Sequence, residues 1–92
     1  MTFHISIPPL VEASLKHIQP QLKQKIKAAL KLIEENPYLG KPLRGKLTGL
    51  MSFRATHYRI VYGISLQRRR IEVVDIGPRK TIYEKLFHWK LP

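Results

Sequence analysis

The hydrophobic pattern of this chain changes its period near residue 50, and no other feature limits its possible folds as strongly. Before that point apolar residues recur every three or four positions, as Val11, Leu15 and Ile18 do, which is typical of one face of a helix. Beyond it apolar and polar residues alternate, as around Tyr58 and Ile60, which is typical of strands with one buried face. We therefore expect helices from the first half of the chain to pack on a sheet built from the second half.

Prolines mark the ends of the elements in the first half. A short strand over Thr2 to Ile7 should stop at Pro8-Pro9, which open a first helix. Pro20 ends that helix and suits the first turn of a second one, which is predicted over Gln21 to Glu35. Because Asn36-Pro37 stops the second helix, the two helices should form a hairpin.

The second half of the chain predicts a long loop followed by three strands. Residues 38–49 are rich in glycine and basic side chains and lack apolar periodicity, so we expect a loop long enough to carry function. Alternating stretches at 51–55 and 58–64 predict two antiparallel strands, and a basic turn at 66–70 leads to a third strand at 71–76. These strands would form a meander.

The chain closes with a predicted short helix and a tail. After Gly77-Pro78, Thr81 can cap a helix that runs to about Phe87, and residues 88–92 form a tail that we expect to be mobile. The predicted fold is α+β: a single domain over residues 1–92, with an N-terminal helix hairpin packed on a small, twisted, antiparallel-dominated sheet of about four strands, and a short C-terminal helix.

The charge of the chain points to a polyanionic partner. Lys and Arg number 17 against 6 Asp and Glu, which gives a formal net charge of +11. This excess is larger than solubility requires, so nucleic acid or an acidic protein is the expected partner. Most arginines fall on predicted strands and turns rather than on one face of a helix, which argues against a membrane surface. The alternative is a basic surface that is merely solvated.

The composition also limits the cofactors that the chain could hold. There is no cysteine, which excludes disulfides and thiolate zinc ligands and fits a reducing cytoplasm. The four histidines are widely separated, and the acidic residues are too few to hold magnesium. The N-terminus has no basic residue before its apolar stretch, and no stretch is long and apolar enough to cross a bilayer. We expect a cytoplasmic protein that needs neither metal nor cofactor.

Three phrases resemble the RelE/ParE superfamily of toxins. They are GKPLRGKLTGL at Gly40 to Leu50, FRATHYRIVY at Phe53 to Tyr62 and DIGPRKTIYE at Asp75 to Glu84. Their order matches the family, in which a helix hairpin with a Glu-Asn-Pro stop precedes a basic loop, a Tyr-Arg-Ile-Val-Tyr strand and a Gly-x-Arg-Lys-x-x-Tyr close. The resemblance favours the RelE-like branch and covers about Leu10 to Leu86.

The resemblance implies the toxin of a type II toxin–antitoxin system. An antitoxin would neutralise it by laying an acidic segment across the basic groove, so the toxin alone would be a monomer and its inhibited form a heteromer. RelE-like members cut mRNA in the ribosomal A site, whereas ParE-like members poison DNA gyrase. We expect a ribosome-dependent mRNA endonuclease; the alternatives are a gyrase inhibitor, or a catalytically weak homologue that binds only antitoxin or nucleic acid.

The family register also proposes the catalytic residues. Metal-free RNA cleavage needs cations to stabilise the charge-rich phosphorane, and planar guanidinium groups suit this task. By resemblance, Arg59 and Arg79 match the two family arginines, and Tyr83 matches the tyrosine that stacks on a base or assists proton transfer. The alternatives are that Arg59 is a solvated strand residue paired with Glu72, and that Tyr83 only packs its ring on the sheet.

The chain departs from the family where protons would be handled. RelE carries two lysines at the positions of Leu50 and Ser52, and other members carry a histidine at the position of Pro78. The general base is therefore not identified by the resemblance. His57 could serve because imidazole accepts protons near neutral pH, although it could equally be a surface residue of a turn. Lys46 or His88 could also reach the site.

Further basic residues are expected to contact phosphates of mRNA and ribosomal RNA, and their contacts would carry no sequence preference. For the run at 68–70 the alternative is a solvated turn. The expected set is Lys41, Arg44, Lys46, Arg54, Arg68, Arg69, Arg70 and Lys80.

Overall fold

The structure, a computed structural model, describes residues 3–87. Some of the sequence-based predictions concern residues that lie outside this part of the chain: Thr2 of the first strand and the tail at 88–92, which includes His88. The elements are β1 His4–Ser6, α1 Pro9–Leu15, α2 Pro20–Glu35, β2 Lys41–Pro42, β3 Leu50–Ala55, β4 Tyr58–Ser65, β5 Arg70–Pro78 and α3 Arg79–Phe87, with single 3-10 turns at Pro37–Leu39 and Gly45–Leu47.

The strands form one mixed sheet in the order β1-β5-β4-β3-β2. β3, β4 and β5 form the predicted antiparallel meander, and β1 joins its edge parallel to β5. The predicted α+β fold is confirmed, but the sheet has five strands rather than about four. The additional strand is β2 inside the predicted loop, where Lys41 pairs with Ser52 and Pro42 with Met51. Pro42 is tolerated because β2 is an edge strand, where a missing N–H costs little.

The helix hairpin covers one face of the sheet. α2 buries Ile26, Ala29 and Ile33, as its helical pattern predicts, against a core that the sheet completes. α1 ends at Leu15, so Ile18 lies beyond the helix in which its spacing would place it, although it still packs on this core. The backbone is extended at Gln19, directly before α2, because a residue that precedes proline disfavours the helical conformation.

The opposite face of the sheet is covered by α3 and by the second 3-10 turn. Its apolar cluster consists of Leu47, Leu50, Val61, Ile82 and Leu86. In β4 the consecutive residues 60–62 are therefore all fully buried, since the strand is covered on both faces. The side chains still alternate as predicted, because Tyr58, Ile60, Tyr62 and Ile64 pack towards the helix hairpin and Val61 towards the opposite cluster; only the burial does not alternate.

Tyr62 ties the end of the helix hairpin to the centre of the sheet. Its hydroxyl donates to the Pro37 carbonyl oxygen at 2.6 Å and accepts from the Gly40 N–H at 3.1 Å. A side chain at position 40 would clash with this hydroxyl, which explains why glycine stands there. Burial raises the pKa of Tyr62, and the hydrogen bond from Gly40 partly offsets this rise.

The start of α3 differs from the sequence-based expectation. The helix begins at Arg79, and Thr81 lies inside its first turn rather than at its cap. The reason is a tertiary contact: the Arg79 N–H donates to the His57 carbonyl oxygen at 2.9 Å, which fixes where the helix begins. The Thr81 hydroxyl donates to the Pro78 carbonyl oxygen at 3.4 Å.

Replacing Tyr62 by phenylalanine should destabilise the fold. The substitution keeps the ring but leaves the Pro37 carbonyl and the Gly40 N–H without their partner, and unpaired buried groups of this kind cost about 1–3 kcal/mol in the free energy of unfolding. Urea denaturation at neutral pH measures the difference. Equal stability of Tyr62→Phe and the parental chain would contradict the role assigned to this hydroxyl.

The same phenol should make the fold sensitive to alkali. Since burial raises the pKa of Tyr62 in the folded state, the unfolded chain loses the phenolic proton first once the pH exceeds about 10. The stabilisation is complete below that pH and is lost as the pH rises through the folded pKa. The free energy of unfolding of the parental chain should therefore fall more steeply above pH ~10 than that of Tyr62→Phe. Parallel pH profiles would show that burial of Tyr62 does not govern the alkaline limit.

Candidate functional site

A cleft of about 390 Å³ lies between β2, β3, the start of β4 and α3. Three apolar side chains form part of its lining: Leu39, Leu43 and Phe53. Its polar lining consists of Lys41, Ser52, Arg54, Arg59, Arg79 and Tyr83. We refer to this site as the basic cleft. It brings together the three residues that the family register places in the active site, and it includes two of the expected phosphate-binding residues, Lys41 and Arg54.

Arg59 reaches the basic cleft because of its place in β4. Its neighbour Ile60 faces the helix hairpin, so the alternation of the strand turns Arg59 towards the other face. Its guanidinium Nη1 donates to the Tyr58 carbonyl oxygen at 3.2 Å. Glu72 pairs in register with Gly63, whereas Arg59 lies opposite Gly77. The alternative interpretation, in which Arg59 is paired with Glu72, is therefore wrong.

The basic cleft concentrates positive charge without acidic compensation. Arg54 of β3 lies directly opposite Arg59 of β4, a position in which like charges repel each other. The Arg54 Nε donates to the Thr56 carbonyl oxygen at 3.1 Å. Within residues 3–87, no Asp or Glu lines the cleft. A site of this kind attracts anions, because a bound negative charge relieves its repulsion.

Arg79 is held at the rim of the cleft by backbone geometry. It is the first residue of α3, and its N–H is bonded to the turn between β3 and β4 through His57. The start of a helix also carries partial positive charge from its unpaired N–H groups. The side chain of Arg79 is exposed and free to extend over the cleft.

Tyr83 stands one helical turn after Arg79, on the same side of α3. Its ring packs on the apolar cluster between α3 and the sheet, as the alternative interpretation holds. Its hydroxyl, however, lies 2.8 Å from the Ser52 Oγ within the lining of the cleft. Packing thus explains the position of the ring, whereas the hydroxyl lies in the cleft that the arginines also line.

Ser52 lines the cleft, although the sequence alone gives it no role and draws attention to it only because RelE has a lysine at this position. The alternation of β3 gave a signal, because it places Ser52 on the same side of the strand as Arg54. The contact with Tyr83 depends on how α3 packs across the sheet, which no pattern in the sequence shows. Leu50 lies on this side too, but it is buried in the apolar cluster and forms no part of the cleft lining.

His57 lies beside the basic cleft rather than within it. It is an exposed residue of the β3–β4 turn, with its ring edge-on to Tyr58 at 5.0 Å between centroids, and its Nδ1 lies 3.4 Å from the Thr56 hydroxyl. It lines an adjoining depression of about 660 Å³ together with Lys80. Three arginines, Arg54, Arg59 and Arg79, line both hollows.

The remaining basic residues lie elsewhere. Lys46 lies in the 3-10 turn Gly45–Leu47, and its ammonium is 4.5 Å from the centre of the Phe87 ring. Arg44 directly precedes this turn. Arg68, Arg69 and Arg70 occupy the far end of the β4–β5 hairpin, where Ser65 pairs with Arg70. Six strand residues separate Arg59 from that end, which corresponds to about 20 Å. The run at 68–70 therefore cannot line the basic cleft.

The described part of the chain, residues 3–87, contains neither a metal-binding cluster nor a membrane-spanning helix. No group of three or more His, Asp or Glu residues in this part of the chain lies close enough together to hold a metal ion. None of the helices described is sufficiently long and apolar to cross a membrane.

Comparisons with known proteins show the family to which the chain belongs. A family model described as the ParE toxin of the type II toxin–antitoxin system parDE matches residues 5–83. Toxin RelE of Mycobacterium tuberculosis is 36% identical over 87 residues, which cover 88% of this chain and 86% of that protein.

Solved structures share the fold at lower identity. The toxin–antitoxin complex RelBE2 from Mycobacterium tuberculosis contains a chain that matches with a TM-score of 0.76 and 22% identity, over 86% of this chain and 100% of that chain. A mutant of Escherichia coli toxin RelE in the free state matches with a TM-score of 0.77 and 18% identity, over 99% of this chain and 100% of that one.

Relieving the charge repulsion in the basic cleft should stabilise the free protein. Arg54→Gln removes one member of the Arg54–Arg59 pair at an exposed position, and we expect a gain of about 0.5 kcal/mol in the free energy of unfolding at low salt. The gain should vanish at ~1 M NaCl, where the charges are screened. Denaturation at both salt concentrations provides the measurement and its control. A loss of stability at low salt would contradict the repulsion.

Proposed function

Because the chain belongs to the RelE/ParE superfamily and is a RelE-related toxin of a type II toxin–antitoxin system, we propose that it is a ribosome-dependent endoribonuclease. It would cut mRNA in the ribosomal A site without a metal ion and so stop translation in the cytoplasm. The observation that carries this proposal is the convergence of Arg59, Arg79 and Tyr83 in one cleft whose described lining contains no acid.

The chemistry follows from the charges of the cleft. The ribose 2′-oxygen attacks the adjacent phosphorus, the bond to the 5′-oxygen breaks, and the products end in a 2′,3′-cyclic phosphate and a 5′-hydroxyl. The phosphorane on this path carries more negative charge than the substrate, so Arg59 and Arg79 stabilise it more strongly than they bind the ground state. Guanidinium groups suit this role because they stay charged and donate two parallel hydrogen bonds.

Two proton transfers complete the reaction. His57 borders the adjoining depression, and its imidazole accepts the proton of the 2′-hydroxyl when the RNA spans both hollows. Tyr83 lies in the basic cleft and donates to the leaving 5′-oxygen. The reaction thereby uses no group at positions 50 and 78, where the family pattern has a lysine or a histidine.

The basic residues outside this core contribute affinity. Lys41 and Arg54 line the cleft and Lys80 the adjoining depression, so they contact phosphates of the mRNA next to the cut. The basic residues that line neither hollow contact ribosomal RNA instead, as salt-dependent and sequence-independent contacts: Arg44, Lys46, Arg68, Arg69 and Arg70.

A cognate antitoxin is the second partner. The chain of RelBE2 that shares this fold was solved in a toxin–antitoxin complex. In the present chain the uncompensated basic cleft suits an acidic segment, which would block the site that RNA uses. On this proposal the free toxin is a monomer and the inhibited form is a heteromer.

A gyrase-directed toxin without chemistry of its own is the other candidate. Leu50 and Ser52 favour it, because they replace the two lysines of RelE. A catalytically weak homologue that only binds antitoxin or nucleic acid would share the same replacements. The three candidates differ in what happens to mRNA and to growing cells.

The test adds purified protein to ribosomes stalled on a defined mRNA and maps the 5′ ends by primer extension, with naked mRNA as the control substrate. We expect cuts confined to the A-site codon. Intact mRNA together with growth arrest on expression would favour gyrase, whose supercoiling activity would then be assayed. Intact mRNA without growth arrest would leave only a binding function.

Arg79→Ala should slow cleavage strongly while leaving the fold intact. The exposed side chain makes no contact that the core requires, and removal of one charge-stabilising donor costs about 100- to 1000-fold in rate. Single-turnover cleavage at saturating ribosome concentration measures the loss. The control Lys31→Ala removes an exposed positive charge from α2 on the other face of the sheet and should cut normally. Cleavage by Arg79→Ala at the parental rate would overturn the proposed site.

A further inference from the structure

The hydroxyl groups of Ser52 and Tyr83 form a pair, and the proposed chemistry uses only that of Tyr83. Their oxygens lie 2.8 Å apart, and the geometry allows either one to donate. Each hydroxyl carries one proton and can accept hydrogen bonds. The pair therefore holds two protons but only one is needed for the bond between them, so one hydroxyl proton remains to be directed elsewhere.

Burial decides which proton is left over. Ser52 is 7% exposed, and within residues 3–87 its Oγ has no hydrogen-bond partner other than Tyr83. A buried O–H without an acceptor is costly, whereas Tyr83 is only half-buried and its hydroxyl borders the basic cleft. The arrangement with the lower free energy has Ser52 donating to Tyr83 and the phenolic proton pointing into the cleft.

We infer that Ser52 is a positioning residue that holds the Tyr83 hydroxyl as a hydrogen-bond donor directed into the basic cleft. The inference rests on the proposed function, in which Tyr83 donates to the leaving 5′-oxygen. The Ser52 hydroxyl donates to a lone pair of the phenolic oxygen and fixes the position of that oxygen. Tyr83 therefore does not donate its own proton to Ser52, and this proton stays available to the RNA. Ser52 acts through Tyr83 and not on the reacting atoms themselves.

This role gives the serine at position 52 a physical reason. A lysine there would bring another cation against Arg54 and Arg59, whereas the serine hydroxyl donates to Tyr83 without adding charge. Lys41 instead brings positive charge from β2, where it lies directly opposite Ser52 in the sheet and lines the same cleft. The cleft thus keeps its charge while β3 provides the anchor for Tyr83.

The test is a double-mutant cycle on single-turnover cleavage of ribosome-bound mRNA. Ser52→Ala should lower the maximal rate about tenfold with an unchanged ribosome concentration at half-maximal rate, because orientation and not binding is lost. Tyr83→Phe should lose at least as much, and the double variant should cut no more slowly than Tyr83→Phe alone. Ser6→Ala, an exposed serine of β1, is the matched control and should cut at the parental rate.

A second readout does not depend on cleavage. In protein labelled with carbon-13 at the tyrosine ζ position, the Tyr83 signal is identified by its absence from Tyr83→Phe, and Ser52→Ala should shift this signal while leaving that of Tyr62 in place. Parental protein that leaves ribosome-bound mRNA intact would overturn the proposed function and this inference with it. Parental protein that cuts, beside Ser52→Ala cutting equally fast or showing an unshifted Tyr83 signal, would overturn the inference alone.

Discussion

The buried hydroxyl of Tyr62 links the core of this protein to its cleft. It holds the Pro37 carbonyl and the Gly40 N–H at the point where the helix hairpin ends, and so fixes the start of β2 against the sheet. Because β2 begins there, Lys41 falls opposite Ser52 and faces the basic cleft. A contact deep in the apolar core thus sets the position of a cation in the basic cleft.

The basic cleft is formed at the expense of stability in the free protein. Arg54 and Arg59 face each other across two strands, and among residues 3–87 no carboxylate lines the cleft to offset them. Such conflicts are characteristic of functional sites, where the missing charge is provided by a ligand. On the proposed function, RNA phosphates and an acidic antitoxin segment are alternative sources of that charge, so one arrangement of arginines would suit both a substrate and an inhibitor that excludes it.

Sequence reasoning was most successful where the local pattern determines the structure. The helical period, the prolines and the strand alternation located both helices of the hairpin and the three-stranded meander. The fold places Arg59, Arg79 and Tyr83 in the lining of one cleft, while the catalytic roles that the family register gives them stay a prediction. Sequence reasoning failed where tertiary contacts decide. α3 begins at Arg79 because of a hydrogen bond to the β3–β4 turn, and β2 forms by pairing with a strand that lies later in the chain. The contact between Ser52 and Tyr83 depends on the packing of α3, and basic residues as remote as Arg68 look the same in sequence as those of the cleft.

Backbone hydrogen bonds, rather than side-chain contacts, set the relative positions of the two arginines. Arg59 is fixed by its place in β4, where it lies opposite Gly77 of β5. Arg79 lies two residues after Gly77, and its N–H donates to the His57 carbonyl oxygen at 2.9 Å. Their guanidinium groups are therefore not needed to hold the chain in place. A site built in this way can change its charged side chains with little effect on the fold. Tyr83 is the exception, because its ring belongs to the apolar cluster while its hydroxyl belongs to the cleft, so one residue contributes both to the packing of α3 and to the polar lining of the cleft.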